Sequence, residues 1–239
     1  MSATPALSGG RPAGRLAGAK ERLRRMTHDA REPLVAALAR AGATADQLTV
    51  LGTALSIAAA VAFFRGSPRV AAGILIASGL CDILDGQLAR RAGVTSRFGA
   101  FLDSTLDRLA DAAVLVGLTG YYVRNLLALV AQPDRMAAQS AAGLDPIAWA
   151  AMAMVAVLAL VGSFMVSYTR ARAEGLGLEC RVGWFERPER LVLLIIAGLF
   201  KIFWIMSAAL LLLAVLSFWT AIQRVRHVWR ITRGPGQDG

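Results

Sequence analysis

Two acidic stretches that lie close together in the chain decide its fold. Residues 82–90 have the sequence DILDGQLAR, and residues 99–107 have the sequence GAFLDSTLD. The residues before the first stretch, 70–80, carry no charge, and those after the second are largely apolar up to residue 122. A charged side chain at the centre of a bilayer costs roughly 2.5–3.5 kcal/mol on insertion scales. Acids beside such apolar sequence therefore indicate a functional site.

The spacing of these acids places them on two helix faces. Asp82 and Asp85 are three residues apart, and Asp103 and Asp107 are four apart, so each pair lies on one side of a helix. The polar residues 91–97 include a glycine and predict a short turn between two antiparallel helices. Four ionised carboxylates that meet across this turn require compensating cations, and oxygen ligands select Mg, Mn or Ca. The pattern predicts a two-metal carboxylate site.

Eight residues of the two stretches carry a resemblance to a known family. They are Asp82, Asp85, Gly86, Ala89, Arg90, Gly99, Asp103 and Asp107. Their order and spacing resemble the signature of the CDP-alcohol phosphotransferase family, D-x2-D-G-x2-A-R-x8-G-x3-D-x3-D, at every fixed position. Acids that were only surface charges of a helix or loop would not be expected in this register.

The resemblance implies a reaction and roles for the acids. An alcohol hydroxyl attacks the lipid-side phosphorus of CDP-diacylglycerol, and CMP is released. Asp82, Asp85 and Asp103 would hold two metal ions, Mg or alternatively Mn, with Asp107 also near the second ion. Asp107 would be the general base, a role open to a carboxylate when a metal assists it. Both histidines of the chain are far from the acids in sequence.

The resemblance also implies a binding site for the CDP-lipid. Its candidate residues are Asp46, Thr49, Gly86, Ala89, Arg90 and Ser96. Gly86 lacks a side chain and lets the nucleotide approach the helix closely, although small residues also serve helix packing in membranes. Arg90 is suited to pair with the diphosphate, and Ser96 to donate a hydrogen bond to it. Asp46 is also placed to cap a helix start. Members of the family often have Pro where Ala45 stands.

A second group of polar residues is predicted to bind the acceptor alcohol. It comprises Ser167, Arg170, Arg172, Arg187 and Arg190. These stretches resemble the phosphatidylinositol phosphate synthase branch, in which a basic pocket receives the phosphate of inositol phosphate. The arginines could instead be a simple orientation signal, but Glu174, Glu186 and Glu189 are interleaved with them, and such a signal needs no acids.

Two other functions fit parts of the pattern. A phosphatidylglycerophosphate synthase would use the same chemistry on glycerol 3-phosphate, and an arginine pocket suits either acceptor. A divalent-cation transporter would also hold acids in the membrane, but acids on more than two spans would be expected of it. Only the second and third predicted spans carry acids in their interiors.

The composition predicts an all-α integral membrane protein. The chain is 56% hydrophobic with a mean hydropathy of +0.54, above the level of ordinary soluble domains. Six transmembrane helices are predicted, at 49–64, 70–89, 100–122, 147–168, 190–204 and 205–223. Lys201 is expected at a membrane-surface turn between the last two. A short helix over 33–41 is expected to lie in the interface.

The basic residues predict the orientation of these spans. Of the 26, twenty fall on the side of both termini, five fall on the other side, and Arg108 lies just inside the third span. This excess predicts a multi-pass protein of the cell (inner) membrane with both termini and the active site facing the cytoplasm. It also explains the net charge of +10 without a nucleic-acid partner, and it suits anionic membrane lipids.

The remaining expectations concern domains and assembly. Residues 1–30 contain no apolar signal region and predict a mobile basic tail. Residues 31–230 are expected to form one membrane domain, followed by a C-terminal tail over 231–239. The connection over 123–146 carries no motif and is expected to be loose. The family resemblance implies a homodimer.

Overall fold

Helices are the only regular secondary structure in the part of the chain that the structure describes. The computed structural model describes residues 32–92, 96–132, 139, 141, 144–200 and 203–233. No strand occurs in these ranges, which confirms the predicted all-α class. The main helices within them are α1 (32–40), α2 (Ala45–Phe64), α3 (Pro68–Ala92), α4 (Arg97–Ala131), α5 (Pro146–Gly175), α6 (Arg187–Phe200) and α7 (Phe203–Thr232).

Polar side chains cap the N-termini of three of these helices. The Thr44 hydroxyl accepts from the Gln47 N–H at 3.3 Å, and the Gln47 side chain accepts in return from the Thr44 N–H at 3.0 Å. Ser96 caps α4, and Asp145 caps α5. The prediction that Asp46 caps α2 was wrong by two residues. Asp46 instead lies in the first turn, where its charge suits the helix dipole.

Helices α2 to α7 form a closed ring. Around the ring the order is α2, α3, α6, α7, α5 and α4, which packs again on α2. The two acid-bearing helices thus both lie against α2. Because the chain alternates direction, the start of α2, the end of α3, the start of α4, the end of α5 and the start of α6 meet at one end of the ring. This end carries the predicted site residues.

Small residues bring α2 close to its two neighbours. A Cβ atom at Gly117 of α4 would lie 2.4 Å from the Ala60 carbonyl oxygen of α2, so only glycine fits there. Between α2 and α3, the Ser78 hydroxyl donates to the Gly52 carbonyl at 2.9 Å and lies 2.9 Å from the Ser56 hydroxyl. Close backbones and buried hydroxyl bonds are typical of helix pairs in membranes. These contacts fix α3 and α4 relative to each other through α2.

Aromatic residues pack the opposite end of the ring. The rings of Tyr122, Trp149 and Phe203 have their centroids 4.7–5.9 Å apart. Tyr122 is fully buried, and its hydroxyl lies 3.4 Å from the Ser207 hydroxyl. This cluster joins α4, α5 and α7 far from the acids.

Five helices are long and apolar enough to cross a membrane, namely α2, α3, α4, α5 and α7. Helix α6 has 14 residues, about 21 Å at 1.5 Å per residue, against roughly 30 Å of bilayer hydrocarbon. The predicted boundary between the last two spans at 204 and 205 was wrong, since α6 ends at Phe200 and α7 begins at Phe203. An almost uninterrupted apolar run offers no contrast that would mark this boundary. Lys201, expected at the turn, lies outside the described residues.

Helix α4 is longer than predicted. It continues to Ala131 instead of ending near residue 122, so the expected loose connection is helical over its first nine residues. Arg124 lies in this extension, and its guanidinium lies over the Phe64 ring, 5.5 Å from the centroid.

The helix predicted over 33–41 is present as α1. It packs beside the acid-bearing end of the ring, since Val35 is 2% exposed against Leu48, Leu84 and Leu88. Leu34, its neighbour in sequence, is exposed. The predictions made for the tail over 1–30 and for most of the C-terminal tail fall outside the described residues.

Candidate active site

The predicted acids converge at one end of the ring. Asp82 and Asp85 lie on the last turns of α3, and Asp103 and Asp107 lie on the first turns of α4. Asp111, one turn beyond Asp107, belongs to the same face. The i, i+3 and i, i+4 spacings therefore produce the two facing acidic surfaces that the sequence predicts.

Arg187, at the start of α6, lies between the two acidic helices. Its Nη1 donates to the Asp82 Oδ2 at 2.5 Å and lies 2.7 Å from the Asp107 Oδ1. Its Nε lies 3.5 Å from the Asp111 Oδ1. The four side chains are only 21–26% exposed, so these ion pairs are weakly screened. Two carboxylates on different helices thus converge on a single cationic nitrogen.

Asp85 is the most buried of the acids. It is 7% exposed, and its Oδ2 accepts a hydrogen bond of 2.8 Å from the hydroxyl of Thr49, itself 6% exposed. A Cβ atom at Gly52, one turn along α2, would lie 3.2 Å from the Asp82 Oδ1. Helix α2 therefore supports both carboxylates of α3. The sequence predicted Thr49 as a site residue but gave no reason to select Gly52.

The other predicted CDP-lipid residues lie around this centre. A Cβ atom at Gly99 would lie 2.9 Å from the Ser96 Oγ and 3.3 Å from the Asp46 Oδ1, so the starts of α2 and α4 meet. At Gly86 a Cβ atom would meet only the Arg90 guanidinium, at 3.5 Å. Beyond the surrounding helix backbone and the two chain neighbours, no other described residue lies within 4 Å of this position.

Exposed apolar side chains flank the acids on the outer surface. Phe98 and Phe101, in the first turns of α4, are 64% and 65% exposed. Ile83, next to Asp82, is also exposed. Exposed apolar surface thus adjoins the carboxylates directly.

A cavity of about 360 Å3 opens beside the acids, between α4, α5, α6 and α7. Four of the five predicted acceptor residues line it: Ser167, Arg170, Arg187 and Arg190. Arg172 is exposed and does not line it. Two residues on from Arg170, its side chain is turned by about 200° around the helix. The acids Asp103, Asp107 and Asp111 of α4 line the same cavity.

Arg190 is an almost fully buried cation of the cavity. It is 4% exposed, and its Nη2 donates to the Asp111 Oδ2 at 2.6 Å. Its Nε and Nη1 are buried and have no hydrogen-bond partner among the described residues. A buried donor without a partner costs about 1–3 kcal/mol. An anion with several oxygens is the kind of ligand that would satisfy these donors.

Arg224 is a member of this site that the sequence did not predict. It is 2% exposed and donates to the Val182 carbonyl at 2.8 Å, the Val166 carbonyl at 2.6 Å and the Glu186 carboxylate at 2.8 Å. It thereby ties the segment between α5 and α6 to α7, next to Arg187. In the sequence, Arg224 was one basic residue of a C-terminal cluster, and nothing distinguished it from its neighbours.

Asp111 and Glu186 were also absent from the predicted set. Asp111 pairs with Arg190, and Glu186 lies 3.7 Å from the Arg170 guanidinium in addition to its bond with Arg224. Asp111 follows Asp107 by four residues, so its spacing was a usable signal. Glu186 was noted only as an acid among arginines, and its partners lie on other helices.

The side chains of these acids are of the chemical type that binds divalent metal ions. The donors are carboxylate oxygens from two helices, and two of them already meet at the Arg187 nitrogen. The described residues hold no group of three or more acidic, histidine or cysteine side chains arranged to ligate a metal ion. The Arg187 guanidinium lies between the Asp82 and Asp107 carboxylates. A metal ion held by these oxygens of Asp82 and Asp107 would compete with Arg187 for them.

The chain resembles known proteins over most of its length. A family model described as CDP-alcohol phosphatidyltransferase matches residues 43–222. The archaetidylinositol phosphate synthase of Methanothermobacter thermautotrophicus is 39% identical over 189 residues, covering 78% of this chain and 83% of the relative.

Two crystal structures of Mycobacterium tuberculosis phosphatidylinositol phosphate synthase share the fold. The complex with manganese and citrate has a TM-score of 0.68 at 34% identity, covering 83% of this chain and 88% of that chain. The structure with CDP-DAG bound has a TM-score of 0.67 at 34% identity, covering 83% and 92%.

Proposed function

Because the chain belongs to the CDP-alcohol phosphatidyltransferase family, we propose that it transfers the phosphatidyl group of CDP-diacylglycerol to inositol phosphate. The products are phosphatidylinositol phosphate and CMP. The observation that carries the choice of a phosphorylated acceptor is the state of Arg190. This residue lines an arginine-rich cavity, and its buried Nε and Nη1 have no hydrogen-bond partner among the described residues. Relatives named for inositol phosphate products support the same choice.

We propose that Asp82, Asp85, Asp103 and Asp107 hold two divalent ions, Mg with Mn as the alternative. The manganese in the M. tuberculosis structure supports a divalent metal in this fold. When bound, such ions neutralise phosphate oxygens and the charge that develops on the attacking and leaving groups. Thr49 holds the Asp85 carboxylate in place through its 2.8 Å bond.

Asp107 is proposed to take the proton of the acceptor hydroxyl. It lines the cavity that receives the acceptor and faces the end of α3 across Arg187. In the reaction, the hydroxyl oxygen bonds to the lipid-side phosphorus, and the bond from that phosphorus to the CMP oxygen breaks. CMP leaves with the electron pair, and the proton passes to the Asp107 carboxylate.

The two substrates are proposed to reach the acids from different sides. The CDP-lipid is proposed to lie along Asp46, Thr49, Gly86, Ala89, Arg90 and Ser96. These residues belong to the start of α2, the end of α3 and the start of α4. The acceptor phosphate lies among Ser167, Arg170, Arg187 and Arg190. Arg172 is omitted from this pocket because it does not line the cavity.

We propose six membrane spans, with α6 as a short fifth one and α1 in the interface. The charge excess supports a cytoplasmic position for both termini and the site. Helix α6 closes the ring between α3 and α7, which supports its place in the membrane. Residues 31–230 form the one domain in this proposal, with tails over 1–30 and 231–239. The assembly is proposed to be a homodimer.

The test is CMP release by the purified protein with CDP-diacylglycerol and Mg. The acceptors are inositol phosphate, free inositol and glycerol 3-phosphate, in parallel. Release with inositol phosphate alone supports the proposal. Release only with free inositol contradicts a phosphate-binding pocket, and release only with glycerol 3-phosphate contradicts the acceptor. If no acceptor gives CMP, the proposed transfer itself is wrong.

A further inference from the structure

A groove on the outer surface between α5 and α7 has the form of a hydrocarbon-chain site. It encloses about 600 Å3, and every residue that lines it is apolar. Val155 and Leu158 contribute from α5, and Leu211, Val215 and Trp219 are among those from α7. It lies outside the ring, whereas the acids and the acceptor cavity lie within it.

The length of the groove matches one leaflet of a membrane. From Leu211 to Ile222 it follows 11 residues of helix, or about 17 Å at 1.5 Å per residue. Half of a bilayer hydrocarbon core is about 15 Å. One acyl chain that lay along this face would therefore reach from the mid-plane to the interface.

A basic cavity of about 330 Å3 continues the groove at the end of the ring that carries the acids. Trp219 lines both spaces. Arg226 and Arg230 line the basic cavity one helical turn apart and, among the described residues, form no ion pair. Arg226 lies four residues beyond Ile222, about 6 Å along the helix, which is the level expected for a lipid phosphate above its chains.

Two further residues of the basic cavity fit a lipid headgroup. Trp184, on the segment between α5 and α6, is 89% exposed. Tryptophan favours the membrane interface, where its ring contacts hydrocarbon and its N–H contacts polar groups. The buried Gln223 Oε1 has no hydrogen-bond partner in the described part of the chain. A headgroup hydroxyl would provide one.

We propose that this groove binds one anionic glycerophospholipid, with its phosphate between Arg226 and Arg230 and an acyl chain along α7. An orientation signal alone would account for two arginines, but it would not account for a concave cavity that continues into an apolar groove. The site differs from the CDP-lipid surface, which lies at the ends of α2, α3 and α4. It therefore does not depend on the proposed acceptor or reaction.

The test uses tryptophan quenching by brominated lipids. The full chain is placed in phosphatidylcholine vesicles that contain acyl-brominated phosphatidylglycerol or, at equal mole fraction, acyl-brominated phosphatidylcholine. Each cationic side chain near an anionic surface favours anionic lipid by about fivefold, so the two arginines predict roughly 25-fold enrichment at the groove. The brominated anionic lipid should quench markedly more fluorescence than the brominated neutral one.

Variants locate the effect. The double variant Arg226→Gln with Arg230→Gln should lose the excess quenching, and Trp219→Phe should lose most of it. Arg181→Gln removes a charge from an exposed arginine that does not line the groove, and should keep the excess. Equal quenching by both lipids in the wild type overturns the proposal, as does an undiminished excess in the double variant. A groove occupied by a second copy of the chain would shield Trp219 from both lipids, and that result also overturns it.

Discussion

Removal of the Arg187 side-chain charge should strengthen metal binding. In the structure its Nη1 contacts Asp82 at 2.5 Å and Asp107 at 2.7 Å, and both acids belong to the proposed metal site. A divalent ion that binds the carboxylate oxygens facing Arg187 would displace at least one of these contacts. In Arg187→Gln the competing cation is absent, so the ion meets the carboxylates without that cost.

The contacts set the size of the effect. A hydrogen bond to a charged group contributes about 1.5–3 kcal/mol, which corresponds to about 10- to 150-fold in a dissociation constant. Arg187 keeps part of this free energy through its contact with Asp111, whose Oδ1 lies 3.5 Å from the Arg187 Nε. We therefore expect the lower end, about a tenfold decrease in the Mn dissociation constant in the absence of substrates.

The assay is direct titration of the purified protein with Mn, with free Mn measured by electron paramagnetic resonance. Arg181→Gln is the matched control, because it removes the same charge from a side chain that is 79% exposed and, among the described residues, pairs only with Glu179. Asp82→Asn should weaken Mn binding, which shows that the titration reports on this site. Unchanged or weaker Mn binding in Arg187→Gln, with Arg181→Gln at the wild-type value, would refute the competition.

Three further predictions follow from the site and the ring. Asp107→Asn should abolish CMP release while part of the metal-dependent CDP-lipid binding persists, and wild-type turnover would remove Asp107 from the reaction. Arg190→Ala should raise the KM of the acceptor about tenfold or more, since it loses a charge-assisted bond, and an equal rise for the CDP-lipid would contradict the pocket. Gly117→Ala should lower the free energy of unfolding by about 1–3 kcal/mol, because the added methyl group overpacks against Ala60, and should lower the Tm in detergent. Gly73→Ala should leave the Tm unchanged, because a Cβ atom there meets no described atom of another segment within 4 Å.

The sequence predicted the acid-bearing helices well because their signal is local. The spacings that join Asp82 to Asp85 and Asp103 to Asp107 are properties of single helices, and one short turn brings the two faces together. Arg170 and Arg187 were selected because their stretches resemble the phosphatidylinositol phosphate synthase branch, and both line the cavity. Helix existence was likewise evident from hydropathy.

Contacts between distant segments were beyond sequence reasoning. Arg224 is buried because three acceptors from α5 and from the segment before α6 surround its guanidinium. No property of its neighbours in sequence reveals those partners. The position of Arg187 between Asp82 and Asp107 depends in the same way on the closure of the ring. The end of α6 was misplaced for the opposite reason, since its apolar run continues into α7 without a contrast.

The exposed Phe98 and Phe101 beside the acids have a kinetic consequence. A lipid that reaches the carboxylates past these rings arrives by lateral diffusion, so its effective concentration is its mole fraction in the membrane or micelle. Added detergent then dilutes the CDP-lipid on the surface at a constant bulk concentration and slows the reaction. The water-borne acceptor is not diluted in this way, and its KM stays the same. Rates measured at different detergent levels are comparable only when the CDP-lipid is expressed per mole of amphiphile.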